Sequence, residues 1–253
     1  MKPRDDGYIS NYLIHWAGRG KKDDSASILS IIASTCELLL SKNQIHAFDW
    51  CHEIQEKMVC FTDVPLAHSR YHCQRYSQFG IAFYKLALMN VGAQPVFYVS
   101  HAAKADMHLI FKFMQQQTSC LDMEPGIFKA LQRHFYFMQR LSDGLADRKD
   151  TYYYEREWRL GAQSLPTAEE WDRPNPKFRC LQEGYPRCIG KRIIRDGKEY
   201  FNFATEDVAF LVAPRAFMPH IKNPHSFKMS AFEDLVHGPD NIDRGDAPDG
   251  RQA

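Results

Sequence analysis

Apolar and polar positions alternate with a period of two in several short stretches of this chain, and recur at helical spacing in others. The first alternating stretch, YISNYLIHWAGRG from Tyr8, reads as an extended segment closed by a Gly-bounded turn. MVCFTDVPL from Met58 is a strand that ends where Pro65 stops regular pairing. FGIAFYKLALM begins as a strand, with Ile81 and Phe83 pointing one way and Ala82 and Tyr84 the other. PVFYVS from Pro95 reads as one strand, as does DVAFLVAP from Asp207. IIRDGKEYFNF reads as a hairpin turning at Asp196-Gly197. Helical spacing runs from Ile28 to Leu40 in SILSIIASTCELLL, with Ser25 or Ser27 as a cap. It returns in MHLIFKFMQQQ and in PGIFKALQRHFYFMQRLSDG, where Pro125 suits a first turn and Gly144 a helix end. AHSRYHCQRYSQ fits a short polar helix, SLPTAEEWDRPNPKF is a Pro-rich loop, and AFDWCHEIQEK favours neither state.

No repeat and no dividing linker interrupts this order. The pattern predicts a single α+β domain over residues 1–236, with a helical insertion at about 101–145. The tail, residues 237–253, is nearly devoid of apolar residues and is expected to be disordered.

DTYYYEREWRL, from Asp150 to Leu160, raises a specific question, because it places carboxylates and guanidiniums inside a strand. Alternation sends Glu155, Glu157 and Arg159 to one face, and Tyr154, Arg156, Trp158 and Leu160 to the other. Trp158 and Leu160 are then expected to pack in the core. Two carboxylates about 7 Å apart on one strand face suit oxocarbenium chemistry, in which one stabilises charge at an anomeric carbon and the other activates the attacking group. A ladder of salt bridges on a solvated face accounts for the same residues, and both readings stay open on the pattern alone.

Composition narrows the picture only a little. The 253 residues are 44% hydrophobic and 25% charged, and 32 basic against 31 acidic side chains leave a net charge of +1, so no global field drives the chain to nucleic acid or an anionic membrane. No apolar run reaches the length of a membrane helix. Seven cysteines, an odd count with no CxxC, and an N-terminus unlike a signal peptide predict free thiols in a reducing cytoplasm. Cys51, His52, Cys60, His68, His72 and Cys73 form the densest metal-like cluster, but without the Cys-pair spacing of a zinc site no metal is expected. No family signature supports a nucleophilic cysteine. Phosphate-loop glycine motifs are absent. WAGRGKK offers Arg19 and backbone N–H groups to a phosphate, or is simply a solvated turn.

CFTDVPL, then RYSQFGIAFYK leading to PVFYV, then YYEREWRL resemble, in order and spacing, the AbiGi-type abortive-infection family of bacterial phage-resistance proteins, over roughly residues 8–215. That family's members carry an antitoxin-like label, so the resemblance implies a phage-defence setting and a partner protein. A second resemblance is to the ADP-ribosyltransferase fold, a split β-sheet cradle for NAD. It implies that His15 holds the adenosine-side ribose and Arg19 the pyrophosphate. Phe61 or Tyr84 would stack on nicotinamide, Thr62 would line the middle strand, Glu157 would be the catalytic carboxylate and Glu155 would activate the acceptor. The Ser-Thr-Ser string of that fold is missing here. The resemblance further implies an acceptor that is RNA, DNA or protein, and that His15, the Thr62 strand and Glu157 converge. A non-catalytic antitoxin or sensor binding a partner protein is the alternative.

Overall fold

The computed structural model describes residues 10–18, 24–43, 56–63, 69, 73, 76–99, 109, 112, 137–140, 156–165 and 190–236. Its elements are β1 (Tyr12–Trp16), α1 (Ser25–Thr35), β2 (Glu37–Leu39), β3 (Ser41–Asn43), β4 (Glu56–Thr62), β5 (Gly80–Tyr84), α2 (Lys85–Asn90), β6 (Gln94–Pro95), β7 (Phe97–Val99), β8 (Met138–Arg140), β9 (Glu157–Gly161), β10 (Lys191–Arg195), β11 (Lys198–Asn202), β12 (Val208–Ala213), β13 (Met229–Ala231) and α3 (Phe232–Val236). An eight-stranded mixed sheet runs in the order β13-β12-β5-β1-β4-β9-β6, with β3 paired to β4. Every pair in it is antiparallel except β12 with β13. A three-stranded sheet (β10-β11-β2) and a parallel pair (β7-β8) complete the described strands.

Alternation sorts the large sheet into two apolar faces. Leu13, Val59, Phe61, Ile81, Phe83, Leu160 and Leu211 bury one face together with α1, with Phe201 of the smaller sheet and with Phe203 just past it. Phe83 is fully buried and meets Phe61 and Phe203 edge-on at 5.8 and 4.9 Å, the aromatic geometry that ring quadrupoles favour. Ile14, Trp16, Ala82, Phe210 and Val212 bury the other face with Cys73 and Phe232. The predicted Asp196-Gly197 turn is present, with both residues at positive φ (52° and 71°) between β10 and β11, the backbone a two-residue hairpin of right-handed twist requires.

Several expectations change. The helix predicted to reach Leu40 stops at Thr35, because Cys36 is left-handed (φ 53°) and caps back to the Ile32 carbonyl. Glu37, Leu38 and Leu39 pair instead with Asn202, Phe201 and Tyr200, a tertiary pairing that outweighs local helical spacing. Ser25 opens that helix after Asp24 with no side-chain cap. It is buried against Gly18, where an added Cβ would clash with the Ser25 hydroxyl oxygen and φ is +84°; only glycine lets the exit from β1 pass so close. The single strand expected from Pro95 is two, β6 on the large sheet and β7 paired to β8. Met138–Arg140, expected inside a helix ending at Gly144, is that partner strand β8, since hydrogen bonding to β7 satisfies a backbone that helical spacing alone does not. β9 begins only at Glu157, after Arg156 adopts φ 42°. Most of the predicted helical insertion, most of the segment from Ala67 to Gln78, the Pro-rich loop after Leu165 and the tail lie outside the described residues.

Candidate functional site

The β-ladder on one edge of β4 is interrupted. β3 pairs with Glu56, Lys57 and Met58 on β4, and β1 meets it through the single register pair Ile14↔Thr62. Between these two contacts, at Val59–Phe61, the strands part and a cleft of about 170 Å³ opens, lined by His15, Trp16, Ser41, Cys60, Phe61, Thr62, Tyr76 and Glu157 among others. His15 Nδ1 donates to the Cys60 carbonyl oxygen at 2.9 Å across this seam, replacing a backbone bond that the parted ladder cannot make. This fixes the tautomer with Nε2 as the acceptor. Burial pushes the His15 pKa below its ordinary value of 6.5, against the opposing pull of the Cys60 carbonyl, so the ring is neutral at pH 7.

His15, Phe61, Thr62 and Glu157 therefore come together, but not on one face. Register and alternation put Thr62, Cys60, Glu157 and Arg159 on one side of the sheet, and His15, Phe61 and Trp158 on the other. The His15 and Phe61 rings meet at 6.1 Å. The open seam, rather than a shared face, is what joins them. Tyr84 does not reach the cleft: it is exposed and packs on Tyr12 with centroids 5.9 Å apart. Arg19 and Glu155 lie outside the described residues.

Glu157 is engaged on both carboxylate oxygens. Arg159, two residues on and on the same face, donates from Nε to Oε1 at 3.0 Å and from Nη2 to Oε2 at 3.1 Å. It also donates from Nη1 to the Met138 carbonyl at 3.2 Å. Only 5% of Arg159 is exposed. Burial opposes its charge, and the charge and hydrogen bonds of Glu157 outweigh that, leaving its pKa above the ordinary value. The Glu157 backbone N–H donates to the Tyr98 hydroxyl at 2.8 Å.

A second charged cluster lies on the opposite face, where Arg156 and Trp158 meet Asp63 and Lys85, two residues the strand pattern did not single out. Asp63 is buried just past the end of β4 and accepts from Lys85 Nζ at 2.8 and 2.9 Å and from Trp158 Nε1 at 3.3 Å. Arg156 Nη2 stands 3.6 Å from it. Lys85 also lies 5.6 Å from the centre of the Trp158 ring. CFTD, IAFYK and EREW thus meet at one buried carboxylate. The available signal was that the first two blocks each end a strand on a charge. Cys73 lies deep under the Trp16 face, where burial pushes its thiol up to about 12, so it stays protonated and unreactive. Among the described residues, no three His, Cys, Asp or Glu side chains are grouped to hold a metal, and no helix is long and apolar enough to cross a membrane.

A family model described as "Putative abortive phage resistance protein AbiGi, antitoxin" matches residues 32–170, more than half of the chain. No curated protein and no solved structure matches it significantly.

Proposed function

The chain belongs to the AbiGi family of abortive phage resistance proteins, and on that premise we propose that it is the effector of a phage-defence module that transfers ADP-ribose from NAD. The observation that carries this reading is the parted β1–β4 seam, where His15, Phe61, Thr62 and Glu157 line one cleft. At about 170 Å³ the cleft takes one ring and not a dinucleotide, since sites for drug-sized ligands start near about 300 Å³. That is the room needed at the bond being cut, with the rest of NAD outside. Breaking the bond between ribose and nicotinamide leaves the electron pair on nicotinamide and positive charge on the ribose. A carboxylate at Glu157 stabilises that charge in the transition state more than in the ground state. The acceptor, on RNA, DNA or protein, then bonds to the anomeric carbon and releases its proton, which Glu155 takes.

A second reading rests on a specific observation. Both Glu157 oxygens are held by Arg159, as suits a structural pair, and the family description carries the word antitoxin. In this reading the chain is non-catalytic and binds a toxin or another defence partner.

Incubation of the purified protein with bacterial extract and NAD labelled on its adenylate phosphate separates the two. Transfer of label to the RNA, DNA or protein fraction, lost in Glu155→Gln or Glu157→Gln, supports transfer. A folded protein that neither labels any fraction nor releases nicotinamide, and that relieves the toxicity of a co-expressed partner, establishes the second reading.

A further inference from the structure

Tyr200 on β11 lies between Ile193 on β10 and Leu39 on β2, and Phe201 between Arg192 and Leu38. Phe201 and Leu38 are in the core, so alternation turns Lys191, Arg195, Lys198 and Tyr200, with Glu37 and Leu39, to the outer face of the three-stranded sheet. Arg195 donates to Glu37 at 2.7 Å, and its Cζ stands 4.9 Å from the centre of the Tyr200 ring while its side chain stays 52% exposed. Lys191 and Lys198 have no ion-pair partner among the described residues, whereas Arg192, on the inner face, turns to Glu199. Edge lysines often serve only to keep a strand such as β10 from pairing with another chain. Lys198 is on the central strand β11, where that purpose does not arise, and an arginine over a tyrosine ring is no part of it. Leu39, across from Tyr200, is half-exposed and also lines the cleft at the β1–β4 seam, so the basic face and the cleft share a wall.

We propose that this face docks an unpaired polynucleotide strand and leads it to the cleft as the acceptor. Lys191 and Lys198 neutralise phosphates, and a base stacks on the Arg195–Tyr200 pair, the combination of cations and aromatic surface that holds single strands without reading their sequence. Lys191 and Arg195 are four residues apart on β10, about 13 Å, a length that suits a run of phosphates and not a single one. At a net charge of +1 the whole chain exerts no such pull, so the attraction is local. An acidic protein segment would match the two lysines but would leave the Arg195–Tyr200 surface without a use. The docking rests on the face itself, and only its service to an acceptor rests on the transfer reading above.

The test is fluorescence anisotropy of the purified full-length chain with three labelled probes: a short single-stranded RNA, a DNA of the same sequence and a polyglutamate of equal charge. Wild type is expected to bind one or both oligonucleotides more tightly than polyglutamate, because only they bring bases to stack. The two lysines should contribute about −1.4 to the slope of log affinity against log salt, at about −0.7 for each phosphate neutralised on a single strand. Lys191→Gln with Lys198→Gln should therefore flatten the slope by about that amount and weaken binding about 25-fold at about 0.1 M salt. Its melting temperature should match that of wild type, since neither lysine has an ion-pair partner to lose among the described residues. Lys222→Gln with Lys228→Gln removes the same charge from exposed positions elsewhere and should bind as wild type does. Absence of oligonucleotide binding overturns the proposal, as does polyglutamate bound equally well or an equal loss in the two double variants. The wild-type probes decide the matter even if a variant fails to fold. Oligonucleotide binding without any transfer of label from NAD refutes the transfer reading and leaves the docking face standing, whereas label passed to protein by a chain that binds no oligonucleotide does the reverse.

Discussion

Glu157→Gln separates the two uses the fold can make of this carboxylate. In the free protein Glu157 accepts two charge-assisted hydrogen bonds from Arg159, and the side chains are 15% and 6% exposed. Hydrogen bonds to charged groups are worth about 1.5–3 kcal/mol each, and breaking a buried pair outright costs about 3–5 kcal/mol. Glutamine keeps one acceptor oxygen and replaces the other with a donor that faces a guanidinium. The net charge opposite Arg159 is lost, while the glutamine oxygen and the Met138 carbonyl still accept from it. The expected destabilisation is therefore about 2–3 kcal/mol, below the full cost of an orphaned charge. The ADP-ribosyltransferase resemblance, which assigns the carboxylate to a substrate, predicts almost none. Urea unfolding followed by tryptophan fluorescence measures the difference, with an unchanged slope required for a two-state comparison. Replacing both partners, Glu157→Leu with Arg159→Met, should cost less than the sum of the single changes, since no charge is then left unpaired. A Glu157→Gln protein within about 0.5 kcal/mol of wild type would refute this reasoning and free the carboxylate for a ligand.

The Asp63 cluster gives a parallel expectation. Asp63→Asn leaves the Lys85 ammonium and the Trp158 indole with a neutral partner, and should destabilise by about 2–3 kcal/mol; urea unfolding should further find that Lys85→Met adds little to it. His15 sets a pH dependence. Its folded pKa lies below 6.5 because of burial, so the unfolded chain binds the proton first as pH falls. The stability it contributes is complete above about pH 6.5 and is lost as pH drops through that value toward the lowered one. Unfolding free energies at pH 8, 6 and 5 should fall more steeply for wild type than for His15→Gln; parallel curves would show that the ring is not buried neutral.

Strands with strict alternation were legible: Leu13 and Ile14, Ile81 and Ala82, and Leu211 and Val212 fall on the faces their positions dictate. So was the hairpin, because Asp-Gly carries its own backbone preference. The end of α1 was not. Ile28 to Leu40 keeps helical spacing throughout, and only the pairing of Leu38 with Phe201, far away in the chain, reveals where the helix yields to a strand. The seam was illegible for the same reason. That β1 meets β4 at Thr62 while β3 takes Met58 is a matter of register between distant segments. The chemical types at the site were readable one by one, and His15, Thr62 and Glu157 do line one cleft. Their approach from opposite faces was not readable, because alternation within a strand says nothing about where two strands part.

Arg156, Glu157 and Arg159 of EREWR all have charged partners. Arg156 and Trp158 turn to Asp63 on one face, and Glu157 and Arg159 turn to each other on the opposite face. The strand is tied on both sides by polar contacts that its neighbours could not satisfy with apolar residues of the same shape without changing partners together. The stretch places three charges on described residues, Arg156, Glu157 and Arg159, and Glu157 is the one that also lines the cleft. A catalytic role for it must then compete with Arg159 for the same two oxygens, and a ligand that draws on the carboxylate must offset the loss of a pair buried on both sides. Binding energy from the part of NAD lying outside a ring-sized cleft is a physically sufficient source, since remote contacts can offset rearrangement at the reacting centre. A partner protein that never enters the seam supplies no such energy and leaves the pair closed. Transfer by a chain whose Glu157 also holds Arg159 should accordingly fail with truncated substrates, nicotinamide riboside in place of NAD, while a purely structural Glu157 makes no distinction between them.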